Sequence, residues 1–121
     1  MEGYYEEFVH YSMLTCCKAY EHLDKKRIRE NNRAMDKLLK LQKKMFAEEG
    51  HCKELALRLL NHEDVKVQLN AGAYCLMACV NKMQAVQVLQ HIKSHSNDGM
   101  TRLLASDSLN YCKPFNEQSK Q

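Results

Sequence analysis

A chain of 121 residues fits one domain and is long enough to bury a core. With 45% apolar and 27% charged residues, one proline and four glycines, the composition argues against disorder and leaves long segments that favour helix. No apolar run approaches the ~18 residues of a membrane span, and no basic segment precedes an apolar stretch at the start, so the expectation is a cytoplasmic protein without a signal peptide.

The formal net charge of +3 hides an asymmetry. Residues 24–44 hold nine Lys/Arg against three Asp/Glu, a net of +6, and the remaining 100 residues carry a net of −3. In the first predicted helix, Tyr5, Phe8, Val9, Ser12, Cys16, Ala19, Tyr20 and Leu23 recur at helical spacing. The phase breaks near Asp24, a suitable N-cap for a second helix over about 25–47. That helix turns Ile28, Met35, Leu38, Leu39, Gln42, Met45 and Phe46 inward and its basic residues outward, and Gly50 is placed to stop it.

The third helix, about 52–60, presents Leu55, Ala56, Leu59 and Leu60. Asp64 caps a fourth over about 65–80, packed through Val67, Ala71, Cys75, Leu76 and Cys79. A fifth over about 83–94 offers Ala85, Val88, Leu89 and Ile92, and ends at the turn Ser96-Asn97-Asp98-Gly99. The sixth, about 100–112, offers Leu103, Leu104, Ser108, Leu109 and Cys112.

Leu57 and Leu60 lie 32 positions before Leu89 and Ile92, and Ala71 lies 34 before Ala105, a spacing that suits repeated helical hairpins. The fold expected is all-α: about six helices as antiparallel hairpins in a HEAT-like α-solenoid stack, with a long N-terminal hairpin acting as a cap. One domain covers 1–113, and 114–121 forms a flexible tail after Pro114.

The segment Leu59-Leu60-Asn61-His62-Glu63-Asp64-Val65-Lys66-Val67-Gln68-Leu69-Asn70-Ala71-Gly72 resembles a HEAT repeat: a helix end, an acidic turn, then the pattern V-R-x-x-A-A. Gln68 stands where that pattern has arginine and Gly72 where it has its second alanine. From Asn32 through Asp36-Lys37-Leu38 to the end of the sixth helix, the chain is similar to a family of small bacterial HEAT-like proteins of uncharacterised function. Some of these serve as immunity proteins beside polymorphic toxins, including those of contact-dependent growth inhibition. The chain departs from the pattern at Tyr111, where a tryptophan is expected. The resemblance implies a non-catalytic protein that binds a cognate toxin, by analogy a nuclease, and blocks it by occlusion.

Six cysteines stand at 16, 17, 52, 75, 79 and 112 without a C-x-x-C pair, which reads as reduced thiols filling a core. Cys75 with Cys79 and His91 with His95 have ligand spacing but no local third donor, so no metal and no cofactor are expected. Cys16, Cys17 and Cys52 with His51 and His62 offer Cys–His pairs, yet nothing local activates a thiolate, and no catalytic residue is assigned.

Two surfaces remain. The acidic turns, Glu48, Glu49, Glu54, Glu63 and Asp64, are the candidate toxin interface if they gather along one edge; they suit the cationic cleft of a nuclease, with Tyr4 and Tyr11 as aromatic anchors. The alternative is a nucleic-acid adaptor using Arg29, Arg33, Lys37, Lys40 and Lys44, a basic row with few interleaved aromatics. Read as an ordinary solvated face, the same row allows an Asp36–Lys40 ion pair.

Overall fold

The structure, a computed structural model, describes residues 2–15 and 24–115. Among these, six α-helices and no strand are formed, as three antiparallel hairpins: α1 (Glu2–Leu14) with α2 (Lys25–Ala47), α3 (Lys53–Leu60) with α4 (Val65–Ala78), and α5 (Lys82–His95) with α6 (Gly99–Tyr111). A single 3-10 turn, Glu49–Cys52, joins the first hairpin to the second. α1 packs on α2, α3 on α4, α4 on α5 and α5 on α6, and α4 also meets α1 and α6, so the hairpins stack in the solenoid manner.

Local chemistry sets the helix starts. Asp24 Oδ1 accepts from the Arg27 N–H at 2.7 Å, Asp64 Oδ1 from the Lys66 N–H at 2.8 Å, and Asp98 Oδ2 from the Thr101 N–H at 2.9 Å. Each carboxylate satisfies a donor that the first helical turn leaves without a partner.

The 3-10 turn bends the chain through three left-handed residues, Gly50 (φ 74°), His51 (φ 56°) and Cys52 (φ 56°). Glycine adopts this conformation freely; the other two need outside support. The His51 ring stacks on Phe46 with centroids 4.2 Å apart, and Tyr74 Oη donates to the His51 carbonyl at 2.7 Å.

Alternation of direction gives the stack two ends. At one, Tyr4 Oη donates to Glu48 Oε1 at 3.1 Å and Asn81 Nδ2 donates to the Lys53 carbonyl at 2.8 Å, joining the start of α1, the α2–α3 junction and the α4–α5 turn. At the other, Arg27 Nη1 donates to the Leu14 carbonyl at 3.1 Å, tying the start of α2 to the end of α1. The α3–α4 turn lies at that second end, because α3 runs away from the first.

The main core joins Phe8 of α1, Leu38, Leu41 and Met45 of α2, Ala56, Leu59 and Leu60 of α3, and Val67, Ala71, Tyr74 and Cys75 of α4. A second cluster, Leu69, Leu89, Ile92 and Ala105, binds α4 to α5 and α6. Gly72 lets α4 and α5 approach: a Cβ there would lie 2.8 Å from Leu89 Cγ.

Several inward assignments are corrected. Met35 and Leu39 are 43% and 41% exposed, and the buried row of α2 is Asn31, Ala34, Leu38, Leu41, Gln42 and Met45. The helix is rotated so that small Ala34 faces the interior and Met35 and Leu39 lie on its shoulder. Cys79 is exposed because α4 ends at Ala78 and Cys79 is its left-handed cap (φ 58°). On α6, Thr101 and Ala105 are buried while Leu103 and Leu104 are exposed, since no further hairpin covers this last helix among the described residues. Phe115, placed by sequence in the loose tail, is buried in the main core, 4.8 Å from the Phe46 ring and 6.2 Å from that of Tyr74 between centroids. The expected first-helix positions Cys16, Ala19, Tyr20 and Leu23 lie outside the described residues, and α1 ends at Leu14.

Candidate binding surface on the first hairpin

Arg29, Arg33, Lys37, Lys40 and Lys44 are all exposed and fall at steps of four, four, three and four along α2, so they form one outward row. At 1.5 Å per residue this row runs about 22 Å. None of the five forms an ion pair among the described residues. Among the described residues α2 carries the Arg27–Glu30 ion pair at 3.3 Å, and the Asp36–Lys40 pair that the spacing allows is not made.

The row borders a groove between α1 and α2 with a cavity volume of about 320 Å³. Arg33, Lys37 and Glu30 line one wall, Ala34 the base, and His10, Tyr11 and Leu14 the other wall. Lys37 Nζ lies 5.9 Å from the centroid of the Tyr11 ring, within reach of a cation–π contact. The His10 ring tilts against Tyr11 with centroids 5.3 Å apart. Sequence reading grouped Tyr11 with the acidic turns; the fold sets it beside the basic row. His10 and Leu14 carried no sequence signal, because their neighbours here stand some twenty residues away in the chain.

The acidic candidates are not brought together. Glu48, Glu49 and Glu54 lie at the α2–α3 junction, and Glu63 and Asp64 lie at the far end of α3, which is about 12 Å long at 1.5 Å per residue. Two of the five carboxylates already serve the fold: Glu48 accepts from Tyr4, and Asp64 caps α4. The hydrogen bond to Glu48 raises the Tyr4 phenol above its ordinary value.

The thiols of Cys52, Cys75, Cys79 and Cys112 are free. Burial pushes the Cys75 thiol up to about 11, against a weaker lowering by the Asn81 side chain, and burial also raises Cys52 and Cys112. A raised thiol is the opposite of an activated nucleophile. Cys75 and Cys79 face different surroundings, one in the core and one in solvent. His91 and His95 stack on each other at 4.2 Å between centroids, and no three His, Cys, Asp or Glu side chains converge as metal ligands among the described residues. No helix among them is long and apolar enough to cross a membrane.

Comparison with known proteins finds no matching family model, no matching curated protein and no matching solved structure.

Proposed function

We propose that the chain is a non-catalytic protein-binding module that acts as an immunity protein, occluding a cognate toxin domain with the outward face of its first hairpin. The observation that supports this reading is the row of five exposed cations without ion-pair partners among the described residues, beside an apolar and aromatic groove. Arg33 and Tyr11, which line the groove beside apolar surface, are residue types enriched at interface centres. The partner surface is acidic, and its attraction to the row speeds encounter. The acidic turns serve this role less well, being split between two ends of the stack and partly engaged in internal bonds. The resemblance implies a nuclease, yet a cationic cleft would repel this row; the row fits a toxin whose covered surface is acidic.

A second reading, a nucleic-acid adaptor, is supported by the same row, whose spacing lets cations follow a phosphate backbone. Affinity capture with the tagged full chain, from cells of the organism that encodes it, separates the two. The toxin-binding reading expects stoichiometric recovery of a toxin domain, lost with Arg33→Glu/Lys37→Glu and kept with Glu49→Lys/Glu63→Lys. Salt-sensitive RNA or DNA without a protein partner favours the adaptor. A protein lost only with the second pair moves the interface to the acidic ends.

A further inference from the structure

We infer that the groove between α1 and α2 seats a single apolar side chain, a phenylalanine or leucine, presented by an acidic protein segment whose flanking carboxylates meet Arg33 and Lys37. This rests on the protein-binding reading above and names the chemistry of the partner's anchor.

Size comes first. Pockets that enclose small-molecule ligands measure about 300–1,000 Å³, so a cavity of about 320 Å³ stands at the lower limit. It is also open, since His10, Leu14, Arg33 and Lys37 are all exposed, and a free small molecule there would stay largely wet. One side chain anchored by a larger contact suits it better.

Polarity comes second. Ala34 is buried at the base, and Leu14 and Tyr11 supply apolar wall. Among the described residues, the one carboxylate lining the groove, Glu30, is held by Arg27 at 3.3 Å, and Arg33 and Lys37 are its charges without an ion-pair partner. Arg33 offers a planar fork for bidentate carboxylate binding, and Lys37 a mobile point charge. The groove is thus apolar within and cationic along one rim, the complement of an apolar residue between acidic ones.

The contacts of Tyr11 favour a side chain over a stacked base. Lys37 Nζ approaches it at 5.9 Å and His10 packs against it with ring planes 59° apart. Base stacking uses a ring face, and these two neighbours compete with a base for the faces of Tyr11. An aliphatic or aromatic side chain against the Leu14 wall requires no such face.

Amide chemical shifts of the isotope-labelled full chain test this with four probes. These are a capped pentapeptide with phenylalanine between two pairs of aspartates, the same peptide with glycine for phenylalanine, the same with lysines for aspartates, and an oligothymidine. The phenylalanine–aspartate peptide is expected to shift Tyr11, Leu14 and Ala34. Affinity should fall about tenfold, or 1.4 kcal/mol, with the glycine peptide, and binding should vanish with the lysine peptide. Leu14→Asp and Lys37→Glu, both at exposed positions, should each remove the shifts while leaving the fold's spectrum intact. Equal binding of the phenylalanine and glycine peptides overturns the seat, as does binding by oligothymidine alone. If captured partner protein is retained by Leu14→Asp, the groove assignment falls while protein binding stands. If the peptide binds as expected but capture returns only nucleic acid, the toxin-binding reading falls instead.

Discussion

At Gly72 the backbone of α4 packs against Leu89 of α5, and the position decides a balance between two opposed effects. Alanine is favoured over glycine within a helix by about 1 kcal/mol. Against that, its Cβ would lie 2.8 Å from Leu89 Cγ and 2.9 Å from Cδ2, and Leu89 is fully buried with little room to turn. Overpacking of a filled core costs about 1–3 kcal/mol, so Gly72→Ala should destabilise by about 1 kcal/mol net. Urea unfolding measures it. In a Leu89→Ala background the clash is gone, and the same substitution should become stabilising; a loss unchanged by that background would refute the contact. Cys75 offers a pH test. Its thiol holds its proton up to about 11 in the fold, against 9.0 ordinarily. Below pH about 9 both states are protonated and its contribution is complete. As pH rises from about 9 to about 11 the unfolded chain releases the proton first, so stability falls, by on the order of 2 kcal/mol. Cys75→Ala should flatten the decline in urea midpoint across that window, and an unchanged slope would exclude this thiol as its source.

Among the elements, α6 depends on its cap. Asp98 Oδ2 accepts from both the Thr101 N–H at 2.9 Å and the Thr101 hydroxyl at 2.6 Å, and Thr101 is buried. Asp98→Ala should cost about 1 kcal/mol, read as a lower midpoint in thermal unfolding, with Asp98→Asn recovering most of it. Caps of this kind were legible in sequence at Asp24 and Asp64, because a cap is a contact within three residues. The hairpin pairing was legible for the same reason: a short polar turn between two apolar stretches has few other outcomes. The rotation of α2 was not. Leu38 and Met45 fit either of two overlapping stripes, and only the position of α1 chooses Ala34 and Leu41 over Met35 and Leu39. The groove escaped for the same reason, since it joins residues 10–14 to residues 30–37. The separation of the acidic turns follows from the predicted topology itself, because successive turns between antiparallel helices fall at opposite ends. Phe115 was misplaced because proline marks a helix end but says nothing of where the chain goes next.

For the molecule as a whole, α4 belongs to both apolar clusters and so joins the three hairpins into one packed framework. Phe115 closes that framework from the C-terminal side. The chain leaves α6 at the end of the stack where α2 meets α3, Cys112 Sγ reaches the Ala73 carbonyl at 3.7 Å, and the Phe115 ring enters the core between Phe46 and Tyr74. One residue beyond the last helix therefore ties the third hairpin to the first and second. Replacing a buried phenylalanine with alanine costs about 3–5 kcal/mol; Phe115 is 7% exposed and so at the edge of the core, and about 3 kcal/mol is expected for Phe115→Ala. Wild-type chain should unfold in urea in a single transition seen equally by helix signal and tyrosine fluorescence. In Phe115→Ala the midpoint should fall, with Phe115→Leu intermediate. Stability unaffected by either substitution would place the ring outside the core. Two separated transitions in the alanine variant would show instead that Phe115 is what couples α5 and α6 to the rest of the stack.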